Sequence, residues 1–247
     1  MSVDEFSGAG NRADAVRPAD PVPLAPVADG IATWWFALDA LPEDIDFLAA
    51  SLSAAEQARA ARFGTPQLRQ RYLVGRGVLR RLLGEVLGIA PAAVPIRRGP
   101  RGRPEIDGMR PVDFNVSHTQ GHALVGIAHG VPRSTRIGVD IERADRDVGA
   151  DRLATKFLTA REGSALAPFP PDARRQRFLR HWTCKEAMSK ATGDGLAAPF
   201  RRLDVELEPT PRLVAGPAPY LPGAWALHAL PVPGEFLATL AVWTGAG

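Results

Sequence analysis

Cysteine is almost absent from this chain. Cys184 is the only one in 247 residues, so no intrachain disulfide can form. Long apolar runs are absent too. None approaches the length of a membrane span, and the first residues lack the charged-then-apolar pattern of a signal peptide. The expectation is a cytoplasmic protein without a membrane partner. Neither sign of charge is in large excess: 30 Lys and Arg face 27 Asp and Glu, a net charge of +3. No nucleic-acid partner is expected. What is present is ordinary for a globular protein, with 45% hydrophobic and 23% charged residues. The length suits one large domain or two small ones. The arginines, however, are bunched in 59–81, 97–103 and 174–180. Such patches suit phosphate-bearing or acidic partners.

Residues 1–30 are rich in Ala, Pro, Asp and Gly and read as a mobile leader. Ile31–Leu38 reads as a strand. Ser53 with Glu56 reads as a capping box opening a helix to about Phe63. Gly64-Thr65-Pro66 opens a longer helix to about Leu87, with Leu68, Tyr72, Leu79, Leu82, Leu83 and Val86 as its apolar stripe. Residues 96–106 form a basic Gly/Pro loop able to offer N–H groups and guanidinium forks to an anion. Phe114–His118 and Ala123–Ala128 flank a turn and predict a hairpin with Ser117 and His118 at its mouth. The polar stretch 130–136 is the best boundary. Beyond it come a strand at 137–141 and a helix around 151–158. A second capping box, Thr159 with Glu162, and a long helix over about 172–192 follow. Strands close the chain around 203–207, 225–230 and 236–243. Each half offers helices and a few antiparallel strands, although no repeat is visible residue by residue. The fold class is α+β, with two similar halves at 31–136 and 137–247.

Two stretches carry chemistry. In Ile137-Gly138-Val139-Asp140-Ile141-Glu142 the two acids alternate with apolar residues, so both face one way. In Trp182–Lys190 the residues Trp182, Glu186 and Lys190 recur at a spacing of four and share a helical stripe. Acids at an apolar strand end need a partner. A hard divalent cation held by Asp140, Glu142 and Glu186 would supply it, with Lys190 near the same anion. Taken singly, each signal also fits a solvated face or a surface ion pair. Ser117, His118 and Asp140 do not make a hydrolase triad, because adjacent strand residues face opposite ways and no nucleophile elbow is present.

Four motifs in order resemble the signature of the 4′-phosphopantetheinyl transferases. They are Phe114-Asn115-Val116-Ser117-His118, Ile137–Glu142, Lys156-Phe157-Leu158-Thr159 with Glu162, and Trp182-Thr183-Cys184-Lys185-Glu186-Ala187 with Lys190. The length is similar to the double-length, surfactin-synthetase-activating (Sfp) type. The resemblance implies a pseudo-dimer with a coenzyme A cleft between its halves, acting as a monomer. It implies transfer of the phosphopantetheine arm of coenzyme A to a serine of an apo acyl or peptidyl carrier protein of polyketide, nonribosomal-peptide or fatty-acid biosynthesis. Adenosine 3′,5′-bisphosphate would be released. Asp140, Glu142 and Glu186 would bind Mg²⁺, with Mn²⁺ as a substitute, and Glu186 or a water would be the base. Lys190, His118 and Ser117 would meet phosphate oxygens. Gly102-Arg103-Pro104 would place Arg103 close to the nucleotide. Arg59 would meet the 3′-phosphate, backed by Arg62, Arg71 or Arg76. Glu56 stands where some relatives carry a second base. The rival readings are a Mg²⁺-dependent phosphoesterase or nuclease and a non-catalytic nucleotide-binding module.

Overall fold

The computed structural model describes residues 19–108 and 112–245. Val22–Pro23 (β1) pairs with Ile31–Ala37 (β2), whose β-branched and aromatic residues suit a half-buried pleat. The packed chain therefore begins before residue 30, earlier than the leader reading allowed. Ala19 is already in the core, and Leu24 N–H donates to Thr33 O at 2.9 Å, covering an otherwise open strand edge. Residues 1–18 lie outside the described residues.

Three helices follow: Pro42–Ala49 (α1), Ala54–Ala60 (α2) and Pro66–Leu87 (α3). The expected capping box opens α2, with Ser53 and Glu56 bonding reciprocally. Most of the expected stripe of α3 packs inward, but Leu68 is 51% exposed and faces a cavity. Ile96–Arg98 (β3) and Pro104–Ile106 (β4) make a small hairpin where a loop was expected. Val112–Thr119 (β5) and His122–His129 (β6) form the expected hairpin. Its two-residue turn puts Gln120 at φ 36° and Gly121 at φ 84°, the positive pair whose twist matches that of the strands. The first sheet runs β1-β2-β6-β5, and α3 covers one face around Phe36, Val74, Leu83, Phe114 and Val125.

The second half opens with Arg136–Arg143 (β7). Ala150–Phe157 (α4), Ala160–Leu166 (α5) and Pro171–Thr192 (α6) come next. Asp204–Glu206 (β8) and Arg212–Ala215 (β9) pair as a small ribbon, and Trp225–Leu230 (β10) and Phe236–Trp243 (β11) complete the sheet β10-β11-β7. Helix α6 lies directly on β7. A Cβ on Gly138 would fall 1.9 Å from Ala187 O, so only glycine permits this approach.

The two α+β halves share a core of Ile31, Leu124 and Ala128 from one side and Ile137, Val139, Ile141 and Leu240 from the other. Beside it, β5 and β7 run as neighbours without forming one sheet. Side chains of β5 stand in for a backbone ladder. Asp113 Oδ2 accepts from Ile137 N–H at 2.7 Å, Asn115 Oδ1 from Val139 N–H at 3.1 Å and Ser117 Oγ from Ile141 N–H at 3.3 Å. The two-residue period of both strands keeps this seam in register.

Candidate active site

The seam delivers Ser117 to Asp140. Ser117 Oγ donates to Asp140 Oδ1 at 2.8 Å and accepts from Lys190 Nζ at 2.8 Å as well as from Ile141 N–H. Lys190 also donates to Asp140 Oδ1 at 2.6 Å and to Val139 O at 3.3 Å. One hydroxyl proton, two hydroxyl lone pairs and three ammonium protons are thus all engaged by the protein. Ser117 and Lys190, expected on phosphate, here satisfy a buried carboxylate that would be costly alone. Asp140 Oδ2 is nevertheless buried with no hydrogen-bond partner among the described residues.

Two further carboxylates feel Asp140. Burial, then the Asp140 charge, pushes the Glu142 carboxyl above its ordinary range against the pull of Arg146. Thr119 Oγ1 donates to Glu142 at 3.3 Å, and Arg146 pairs with its other oxygen. Glu186, half-buried one turn before Lys190 on α6, has no hydrogen bond or salt bridge to its carboxylate among the described residues. Burial and Asp140 push it upward too, Lys190 opposes and Glu142 adds to the rise. The three acids therefore share one electrostatic neighbourhood. As they stand, no three ligating side chains among the described residues enclose a ready point for an ion. The donor chemistry still fits a hard divalent cation: only oxygens, one orphaned buried oxygen, and two carboxyls strained by a third.

His118 turns to the opposite face from Ser117, as adjacency on a strand requires. It is exposed and lines a cavity of about 400 Å³ with Arg71, Tyr72 and Arg76. Partial desolvation, then Lys190, pushes its imidazole below the usual range, with Asp140 opposing. A second cavity of about 370 Å³ is lined by Arg59, Tyr72, Arg76, Arg97 and Arg98. The two share Tyr72 and Arg76, so a basic trough runs from His118 to Arg59. The Arg59 guanidinium lies 5.6 Å from the centroid of the Tyr72 ring. Arg71 is held by both oxygens of Asp39 at 2.9 Å. Glu56 is the capping partner expected and also the counter-ion of Arg76 and the buried Arg80. Arg103 departs from expectation. It is 8% exposed, and its guanidinium is turned away from the trough onto Asp113, a buried acid that needs a cation. Arg97 and Arg98, within a cluster visible in the sequence but not singled out, line the trough in its place.

Two family models match the chain, "4'-phosphopantetheinyl transferase, N-terminal" over residues 37–129 and "4'-phosphopantetheinyl transferase superfamily" over residues 136–240. The 4'-phosphopantetheinyl transferase HetI of Nostoc sp. is 36% identical over 90% of this chain and 91% of its own length. The chain belongs to the 4′-phosphopantetheinyl transferase superfamily. A 4'-phosphopantetheinyl transferase of Bacillus subtilis is 29% identical over 66% of this chain and 70% of its own. A solved holo-(acyl-carrier-protein) synthase from Bacillus anthracis, in complex with CoA (3′,5′-ADP), aligns with 45% of this chain and 96% of its own at 21% identity and a TM-score of 0.35. As a member of this superfamily, the enzyme transfers phosphopantetheine from coenzyme A to carrier proteins.

The transferase holds Glu186 in place through its neighbour. Lys185 is wholly buried, and its ammonium donates to Glu162 at 2.6 Å, Phe200 O at 2.9 Å and Phe157 O at 3.0 Å. Glu162 caps α5 and accepts from Val205 N–H at 2.8 Å, so this node ties α4, α5, α6 and β8 together. Burial alone would raise the Glu162 carboxyl, but His181 and Lys185 outweigh it and hold the value at about 2. Burial pushes Lys185 downward, and the Glu162 carboxylate at 2.6 Å opposes that fall. In the sequence Glu162 is legible as a cap and as part of the third motif, but not as the partner of Lys185. Asp113 is not singled out there as a seam residue, although polar residues at every second position of an apolar strand are the available signal.

Proposed function

We propose that this transferase is a Mg²⁺-dependent, monomeric, double-length enzyme of the Sfp type, acting on acyl or peptidyl carrier domains in the cytoplasm. The observation that supports it is the electrostatic coupling of Asp140, Glu142 and Glu186, with Lys190 bonded to Asp140 and with His118, on the arginine-lined trough, feeling both Lys190 and Asp140. Asp140, Glu142 and Glu186 would hold the cation, with Mn²⁺ as a substitute. A divalent ion there supplies neutralising charge for the diphosphate oxygens. The trough suits the nucleotide end of coenzyme A, with Arg59, Arg97 and Arg98 facing the 3′-phosphate and His118 donating toward the diphosphate. Lys190 is placed to transfer one of its donors from Asp140 to a diphosphate oxygen.

The acceptor serine then attacks phosphorus. Its Oγ–P bond forms as the P–O bond to adenosine 3′,5′-bisphosphate breaks, and Glu186 takes the hydroxyl proton. A cation on the same carboxylate would lower its basicity, so a water held at the site is the alternative base. The clustered arginines suit an acidic carrier surface.

The test is a mass assay of apo-carrier proteins with coenzyme A, with and without Mg²⁺. Glu186→Ala is expected to cut transfer by about 10²–10⁴-fold while leaving the melting curve in place. Transfer at the unaltered rate would overturn the base assignment. Free phosphopantetheine released without an acceptor would favour the phosphoesterase reading, and nucleotide binding with no turnover the non-catalytic one.

A further inference from the structure

We infer that Arg103 and Asp113 are a positioning pair that sets Lys190 and β7 in register for transfer, and that Arg103 is not a nucleotide ligand. All five N–H groups of the Arg103 guanidinium have acceptors. Nε donates to Lys190 O at 2.9 Å. Nη1 donates to Asp113 Oδ1 at 2.9 Å and to Pro104 O at 3.4 Å. Nη2 donates to Asp113 Oδ2 and Ile137 O, both at 2.7 Å. No donor remains for a ligand. One side chain from the β3–β4 hairpin of the first half thereby fastens the start of β7 and the last turn of α6, both of the second half.

The place fastened matters. Lys190, whose carbonyl Arg103 holds, is the residue whose ammonium grips Asp140 and Ser117, and it lies one turn beyond Glu186. A cation at this end of α6 is also favoured by the helix dipole. Arg101, two residues earlier, pairs with Asp194 just past the same helix end. Asp113 completes the lock by accepting from Ile137 N–H at 2.7 Å and Arg136 at 3.2 Å. A lysine cannot reproduce this fork, because an ammonium has three donors and no planar pair. The inference rests on the proposed roles of Lys190 and Glu186.

The test compares Arg103→Lys, Arg103→Gln, Asp113→Asn and the Arg103→Gln/Asp113→Asn double variant, with Arg59→Ala as a trough reference. Steady-state kcat and KM for coenzyme A are measured with the Kd for 3′,5′-ADP and a thermal melt. For Arg103→Lys, kcat is expected to fall roughly 10–100-fold, with KM and Kd within about twofold of the unaltered enzyme. The double variant should recover part of the loss of Arg103→Gln, since it leaves no lone buried charge. Unchanged kcat with raised KM or Kd for Arg103→Lys would make Arg103 a nucleotide ligand and overturn the inference. Strictly additive losses would remove the pair, and unfolding of the whole set would reduce it to a requirement of the fold. Lys190→Ala separates the levels. If that variant keeps full rate, the reading of the site fails. If it is slow while Arg103→Lys is not, only the positioning claim fails.

Discussion

Lys185 and Glu162 show why neighbouring residues in one motif do different work. Glu186 and Lys190 face the site, whereas Lys185 is buried against Glu162. Removing one partner strands a charge, so Lys185→Met is expected to cost about 3–5 kcal/mol in chemical denaturation. Replacing both with apolar residues should cost less. The pair also sets an acid limit. The folded Glu162 value of about 2 lies below its ordinary value of 4.5, so its contribution is present above about pH 4.5 and is lost as pH falls toward 2. Urea titrations at pH 3 and pH 6 should therefore differ more for the unaltered protein than for Glu162→Gln. Equal differences would remove Glu162 from the account. The capping role was legible from Thr159 and Glu162 three apart. The ion pair was not, because its partners stand 23 positions apart on different helices.

Elements were legible where local chemistry decides them. The boxes at Ser53 and Thr159 open α2 and α5 as expected, and Gly88 and Gly193 end α3 and α6 in the left-handed conformation. The β3–β4 hairpin was not legible, since its Gly/Pro content reads as loop and only cross-strand pairing makes it a strand pair. Packing between elements gives a sharp contrast between glycines. Gly138→Ala must force β7 off α6 and is expected to cost about 3 kcal/mol or more. Gly163, inside α5 with no atom within 4 Å of a built Cβ, should tolerate alanine and gain roughly 0.5–1 kcal/mol. Urea midpoints of the two variants should move in opposite directions. A Gly138→Ala protein as stable as the unaltered one would disprove the close approach.

At the scale of the whole molecule, the halves are joined by a polar seam beside an apolar core. Asn115→Leu leaves Val139 N–H buried without its acceptor, at about 1–3 kcal/mol. Hydrogen exchange should quicken at Ile137, Val139 and Ile141 before it does in β6. Uniform exchange across both sheets would mean that the seam is not a separate unit. By itself the sequence determined the capped helices, the β5–β6 hairpin, the two-half α+β division, the family, and the alternation that puts Asp140 and Glu142 on one face. These depend on near-neighbour spacing, which a linear string preserves. Only the tertiary structure decided that Arg103 turns to the seam while Arg97 and Arg98 line the trough, and that Ser117 and Lys190 converge on Asp140. Those choices are made by buried charges seeking partners tens of residues away, and the partner available depends on which strands and helix ends the fold brings side by side.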